Sequence, residues 1–275
     1  MCMGLGCNAV GVMGCRIIDS SRERLIAVAT NAFMPCNGRF PCLILMGSLF
    51  FGMGSGLTGA ALITGLIALG ALATMAVSWG MSRTVLRGAS SAMVLELPPF
   101  RKPRVGQVIV RSLLDRTLYV AGRAASVAAP AGLVLWICGA IFWDGQSLLT
   151  HAARFLEPLG CLLGMNGVIL LSFLLAIPAN ELVLPVIFML LTGGASLGPE
   201  LSAQSTQALL LQAGWTWQTA LCVMVFTLFH WPCSTTVITI KKETGSWKWT
   251  LASILLPTAV GIALCMLLHG LFTLL

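Results

Sequence analysis

The chain has 275 residues, of which 57% are hydrophobic and 9% charged, with a formal net charge of +7. Soluble domains carry about 25% charged residues, so a water-soluble globular protein is excluded. The basic excess does not mark a nucleic-acid binder, because its residues lie in short segments between apolar runs, where they act as topology signals. Ten cysteines without a CxxC pair argue against a disulfide framework or a zinc ribbon. Most of them read as small residues packed between helices.

In chain order, Met1 opens on a Gly/Cys-rich segment with no basic n-region, so no secretory signal is expected. Gly6-Cys7-Asn8 precedes a short apolar segment that ends at Arg16. Residues 16–39 carry Arg16, Arg22, Arg24 and Arg39. From Phe40 to Trp79 nothing is charged. With about 20 residues needed per crossing, that run predicts two spans joined by a turn over residues 52–56. Residues 83–123 hold eight basic residues. Within them Glu96-Leu97-Pro98-Pro99 cannot be helix interior, and Val105, Val108, Ile109 and Leu113 alternating with arginines predict a basic amphipathic helix on the membrane surface.

Further apolar runs cover Ala124–Trp143, Val168–Leu191, Trp217–Ile240 and Trp249–Leu275. Basic residues concentrate in 16–39, 83–123 and 241–248, which places those segments on the cytoplasmic side. Residues 144–166 hold Arg154 alone, and 193–215 hold no Lys or Arg, so both are expected outside. The run between them must then enter the membrane and return. This predicts a re-entrant hairpin with its tip near Pro178-Ala179-Asn180-Glu181.

Glu181 is the one acid set well inside an apolar run. Such a charge costs at least about 2.5 kcal/mol to insert and commonly lines an ion or substrate path. Pro178 and Pro185 free backbone carbonyls beside it, a condition tolerated at membrane depth where the chain is buried or lines a cavity. A second break, His230-Trp231-Pro232-Cys233-Ser234, gathers imidazole, thiol and hydroxyl. Cys7 is followed by Arg16 after nine residues and Cys233 by Lys242 after nine. That weak internal repeat suits a transporter built from paired discontinuous helices. The candidate ligands are Cys7, Asn8, Asn180, Glu181, His230, Cys233 and Ser234. Mixed thiolate, imidazole and carboxylate donors suit a borderline-soft divalent transition metal better than Mg²⁺ or Ca²⁺. The expected fold is an all-α polytopic membrane helix bundle with discontinuous, re-entrant gate helices.

The segments GLGCNAVGVMGCRIIDSSRERLIAVATNAFMPCNGRFP (4–41), LELPPFRKPR (95–104), IPANELVLP (177–185) and HWPCSTTVITIKKETGSWKW (230–249) resemble the C-terminal membrane part of the ferrous iron transport protein B (FeoB) family. The resemblance implies the tail of a first gate motif in 1–16, a FeoB C-terminal-like region in 17–123, and a second gate motif with flanking spans in 124–275. It also implies Fe²⁺ as transported substrate, no permanently bound cofactor, no enzymatic activity in these residues, and a multi-pass place in the bacterial cytoplasmic membrane. Val10 stands where the family often has a proline. No GxxxxGK[ST] phosphate loop is present. A GTP-binding domain or subunit is therefore expected to be supplied separately, and the chain to be a fragment, a split-gene subunit or a truncated reading of a longer gene. Homo-oligomerisation is left open, and no nucleic-acid partner is expected. Two rivals remain: an ion-coupled carrier of a small organic solute with a nucleoside-transporter-like gate fold, and a non-transporting membrane subunit.

Overall fold

The computed structural model describes residues 2–52, 56–88, 105–111, 118–143, 146–192 and 203–274. In chain order its helices are α1 (Asn8–Gly14), α2 (Ser21–Thr30), α3 (Phe40–Met46), α4 (Gly56–Arg83), α5 (Val105–Arg111), α6 (Tyr119–Ala140), α7 (Leu148–Leu162), α8 (Gly167–Leu175), α9 (Val183–Leu191), α10 (Ala203–Gln212), α11 (Trp217–Phe229), α12 (Ser234–Thr244) and α13 (Trp247–Leu274). A two-residue antiparallel ladder, Phe142 with Ser147 and Trp143 with Gln146, closes the turn between α6 and α7. It is too short to make a layer, and the fold is the all-α bundle that the hydropathy pattern predicts.

Among the described residues three helical segments are long and apolar enough to cross a membrane: Gly56–Arg83, Trp217–Thr244 and Trp247–Leu274. The middle one is broken, and 61% of its most apolar window is buried, against 17% and 22% for the others. The α11–α12 pair is thus the axis of the molecule, while α4 and α13 turn Leu69, Leu72, Met75, Leu255, Ile262 and Leu267 outward, as lipid-facing helices do. Helices in lipid gain little from the hydrophobic effect and associate by close backbone approach. Gly59 and Gly70 on α4 supply that approach, since a Cβ would stand 2.9 Å from the Gly47 carbonyl oxygen and 3.1 Å from that of Phe33.

One end of the bundle is basic. Arg16 holds Glu243 through two hydrogen bonds of 2.8 and 2.5 Å, which raises the already high pKa of its guanidinium. Arg22 donates to the carbonyls of Leu86 and Ser82, and Lys241 lies over the Trp247 ring. α12, with 11 residues, rises about 16 Å from its first residue to that end, roughly half of a ~30 Å hydrocarbon core. The break at residues 230–233 therefore lies near mid-membrane.

The run over residues 168–191 does turn back on itself, as expected. α8 and α9 fold back on each other across a break at residues 176–179, with Leu171 and Met189 in one apolar cluster. α7 and α8 form a second bend of 108° at Leu163–Asn166.

Three expectations are revised. Residues 144–166, read as an outer loop, contain α7, an amphipathic helix with Leu149, Ala153 and Gly160 inward and Phe155, Leu159 and Leu162 outward. Only α4 of the two spans expected between Phe40 and Trp79 crosses the bundle. Residues 40–51 make α3 and a wider π-helical turn, about 18 Å in all, so they traverse half the membrane. Arg39 does not belong to a cytoplasmic loop but is fully buried at the start of α3. Of the expected surface helix over Leu95–Arg123, α5 and the opening of α6 are described, and the remainder lies outside the described residues.

Candidate metal path

The helix starts show where the chemistry sits. α2, α7, α8 and α11 each begin at a side chain that accepts from the backbone, Ser20, Ser147, Asn166 and Thr216 respectively. Such caps satisfy N–H groups that the first helical turn leaves unpaired. α1 and α12 begin instead at Cys7 and Cys233, both with extended backbone and no side-chain cap. The two helices pack side by side and end together at the Arg16–Glu243 pair, so their N-termini point the same way. The internal repeat is thereby a structural one: two broken helices, each opening at a cysteine, face one interior region.

Two further breaks reach the same place. Ser234 donates through its hydroxyl to the Pro178 carbonyl (3.0 Å) and through its backbone N–H to that of Ile177 (2.9 Å), which ties the start of α12 to the re-entrant tip. The loop before α3 is the other. Its Asn37 N–H donates to the Gly6 carbonyl (3.2 Å), and a Cβ on Gly38 would stand 3.1 Å from Glu181 Cγ and 3.6 Å from Asn180 Cβ. The absence of a side chain at Gly38 lets this loop pass close under the tip that carries Glu181.

His230 is buried and held on both ring nitrogens. Nδ1 lies 2.8 Å from the Thr227 carbonyl, and Nε2 lies 3.3 Å from the Asn180 side-chain oxygen. A carbonyl only accepts, so Nδ1 is the nitrogen that donates to Thr227. A backbone carbonyl that fixes the remote nitrogen is the usual support of a metal-ligating histidine. The Asn180 amide bridges Nε2 and Cys36 Sγ, the latter at 3.7 Å. Its oxygen faces the ring and its NH2 donates to the thiol. Phe173, Phe226 and Trp231 surround the imidazole, with ring centroids 5.1, 6.2 and 6.1 Å away.

The remaining predicted residues divide. Cys7 and Cys233 are half-buried, and Cys233 lies within electrostatic range of both Cys36 and Cys7. Its Sγ is 3.3 Å from the Thr236 hydroxyl. Asn8 is buried, and its amide nitrogen, turned to donate, reaches the carbonyls of Gly4 (3.2 Å) and Met34 (3.3 Å). Ser234 spends its hydroxyl on the re-entrant tip. Glu181 sits in the short turn Asn180–Leu182 with its side chain exposed. Among the described residues, no three His, Cys, Asp or Glu side chains close on one point as a ready-made metal site.

Sequence reasoning missed Cys36, Asn31 and Arg39. Arg39 donates to the carbonyls of Ala32 (3.0 Å), Leu228 (2.7 Å) and His230 (2.7 Å), and reaches toward that of Trp231 at 3.5 Å. The guanidinium fork thus satisfies carbonyls released where α11 ends before Pro232. Asn31 donates to the Asn8 carbonyl at 2.9 Å. Among the described residues the buried side-chain polar atoms without a partner are Asn31 Oδ1, Arg39 Nε and Trp231 Nε1, and all three belong to this region. Buried orphans are costly, and their concentration here sets the region apart from the rest of the bundle. The Pro-Cys dipeptide recurs at 35–36, 41–42 and 232–233 and so did not single out Cys36. Arg39 had no signal either, because a lone arginine ahead of an apolar run reads as a loop residue.

The family model described as "Ferrous iron transport protein B C terminus" matches residues 63–115, and the gate model described as "Nucleoside recognition" matches residues 121–247. Across 98% of its length the chain is 26% identical to the Fe(2+) transporter FeoB of Staphylococcus aureus (strain MSSA476). The chain is thus similar to FeoB transporters over nearly its whole length. It is also 23% identical to the FeoB of Methanocaldococcus jannaschii over 92% of the chain, and 24% identical to a FeoA/FeoB fusion protein of Porphyromonas gingivalis (strain ATCC BAA-308 / W83) over 92%. The chain spans about 40% of the length of the S. aureus and 38% of the M. jannaschii FeoB, and corresponds to the C-terminal portion of the family. No solved structure matches it.

Proposed function

We propose that these residues form the permease portion of a ferrous iron importer, in which Fe²⁺ passes between the breaks of α11–α12, the re-entrant tip, the start of α1 and the loop before α3. The observation that carries this reading is the meeting, near mid-membrane, of cysteine-bearing breaks with a histidine whose Nδ1 is pinned to a backbone carbonyl. Cys7, Cys36 and Cys233 supply soft ligation, His230 a nitrogen donor, Asn8, Asn180 and Ser234 support, and Glu181 a carboxylate at the mouth of the re-entrant tip. The donors are spread over separate elements, so the ion is handed between ligands and not held in a closed cage. Any coupling to GTP comes from a domain or subunit beyond these residues, and the setting is the bacterial cytoplasmic membrane. The residues transport and catalyse no reaction.

Uptake of Fe²⁺ by cells expressing the Cys233→Ser variant tests this. Uptake reduced by about tenfold or more, the scale of losing metal support, with normal membrane abundance, is expected. Full uptake would count heavily against a thiol-lined path. The second reading, a carrier of a small organic solute, draws on the "Nucleoside recognition" match and expects full Fe²⁺ uptake with that change, but loss of solute uptake with Glu181→Gln.

A further inference from the structure

A second group of metal-type donors lies at the opposite end of the bundle from the basic residues. A cavity of about 300 Å³ opens between α7, the turn after it, α11 and α13, and its lining includes Glu157, Cys161, Met165, Cys222 and His269 but no Lys or Arg. His269 stands far along α13 from Lys248. At 1.5 Å per residue the separation is about 32 Å, one hydrocarbon thickness. By the positive-inside rule this is the outer mouth.

The turn over this cavity is shaped around two of the donors. Gly164 adopts φ +71°, and a Cβ there would lie 2.9 Å from Cys222 Sγ and 3.1 Å from His269 Nδ1. The glycine is thus required both by its backbone and by the two side chains it covers. Neither the Cys222 thiol nor the His269 ring makes a hydrogen bond among the described residues, although Cys222 is fully buried and His269 half-buried. Glu157 is fixed by the Gly167 N–H, which donates to Oε2 at 2.7 Å, while Oε1 lies 3.7 Å from Cys161 Sγ. A lining with a carboxylate and no Lys or Arg favours a cation over an anion. Thiol, imidazole, thioether and carboxylate together suit a borderline-soft divalent cation. The donors do not close on one point, so an ion here keeps part of its water shell and binds through few protein ligands at a time.

We propose that this cavity is a capture site for a partly hydrated divalent transition-metal ion, held chiefly by Cys222 and His269 with Cys161, Glu157 and Met165 around it. It extends the reading of the chain as a metal path. Cys222 and His230 lie on and just past the same helix, α11, eight residues or about 12 Å apart, so an ion captured here is delivered toward the central breaks.

Titration of the full chain in detergent micelles with Co²⁺, followed by calorimetry and by thiolate-to-cobalt absorption, tests the site. The expected result is two separable binding events in the unaltered protein, with one lost in the Cys222→Ser/His269→Asn variant and the other retained. If that variant titrates like the unaltered protein, the capture site is overturned. The Cys7→Ser/Cys233→Ser variant separates the two readings. Retention of both events there would defeat the central path and leave the capture site standing. His269→Asn alone guards against misfolding, because the ring is partly exposed and unbonded. It must still weaken one event, and unchanged affinity in that folded protein contradicts the proposal.

Discussion

Arg39 shows most plainly what single residues do in this fold. A fully buried guanidinium carries a large desolvation cost, which is offset only where its donors are well used. Here the fork holds carbonyls from two distant parts of the chain, Ala32 on one side and Leu228 and His230 on the other. It ties the loop that carries Cys36 to the break that carries Cys233. Replacing it by methionine keeps the volume but strands those carbonyls, at a cost of about 3–5 kcal/mol by analogy with buried ion pairs opened on one side. The Arg39→Met variant should therefore melt well below the unaltered protein in detergent, as read by thermal-shift chromatography. An unchanged melting temperature would show that the carbonyls find other partners. Arg39→Lys should recover part of the loss, because an ammonium keeps the charge but not the fork.

At the scale of elements, what decides the architecture is where helices are interrupted. The interruptions at 178–181 and 230–232 were legible because proline and polar residues fall within runs that lipid would otherwise keep continuous. The cysteine at the start of α1 was legible through its spacing to Arg16. The loop over residues 31–39 was not. Counting basic residues assigns it to the cytoplasm, and only three-dimensional packing shows that Arg39 is spent inside. α7 was hidden for a related reason. Arg154, Glu157 and Pro158 give its sequence the look of a loop, although its apolar residues recur at helical spacing. Its elbow with α8 depends on Gly160 and Gly167, where a Cβ would strike the Asn166 backbone and the Ala153 carbonyl respectively. Gly167→Ala should push α7 off α8 and cost about 1–3 kcal/mol, as overpacking does. A melting curve checks the cost, and faster proteolysis at the Leu163–Asn166 turn would report the displaced helix.

For the whole molecule, the division into a basic end and an end that carries the His269 cavity predicts its orientation in the membrane. A cysteine placed at Arg24 should be labelled by an impermeant maleimide only after the cells are opened. One placed at Phe272 should be labelled on intact cells. The reverse pattern would invert the orientation, and with it the assignment of the capture site. Between the two ends the three cysteine-bearing breaks form the narrow part of the account, and its central claim is that Fe²⁺ passes there. The direct measurement is the alkylation rate of Cys233, resolved by peptide mass spectrometry, in anaerobic membranes with and without Fe²⁺. The account predicts that Fe²⁺ slows alkylation of Cys233 several-fold while Mg²⁺ at the same concentration does not. A rate that Fe²⁺ leaves unchanged, in membranes that accumulate iron, would contradict it.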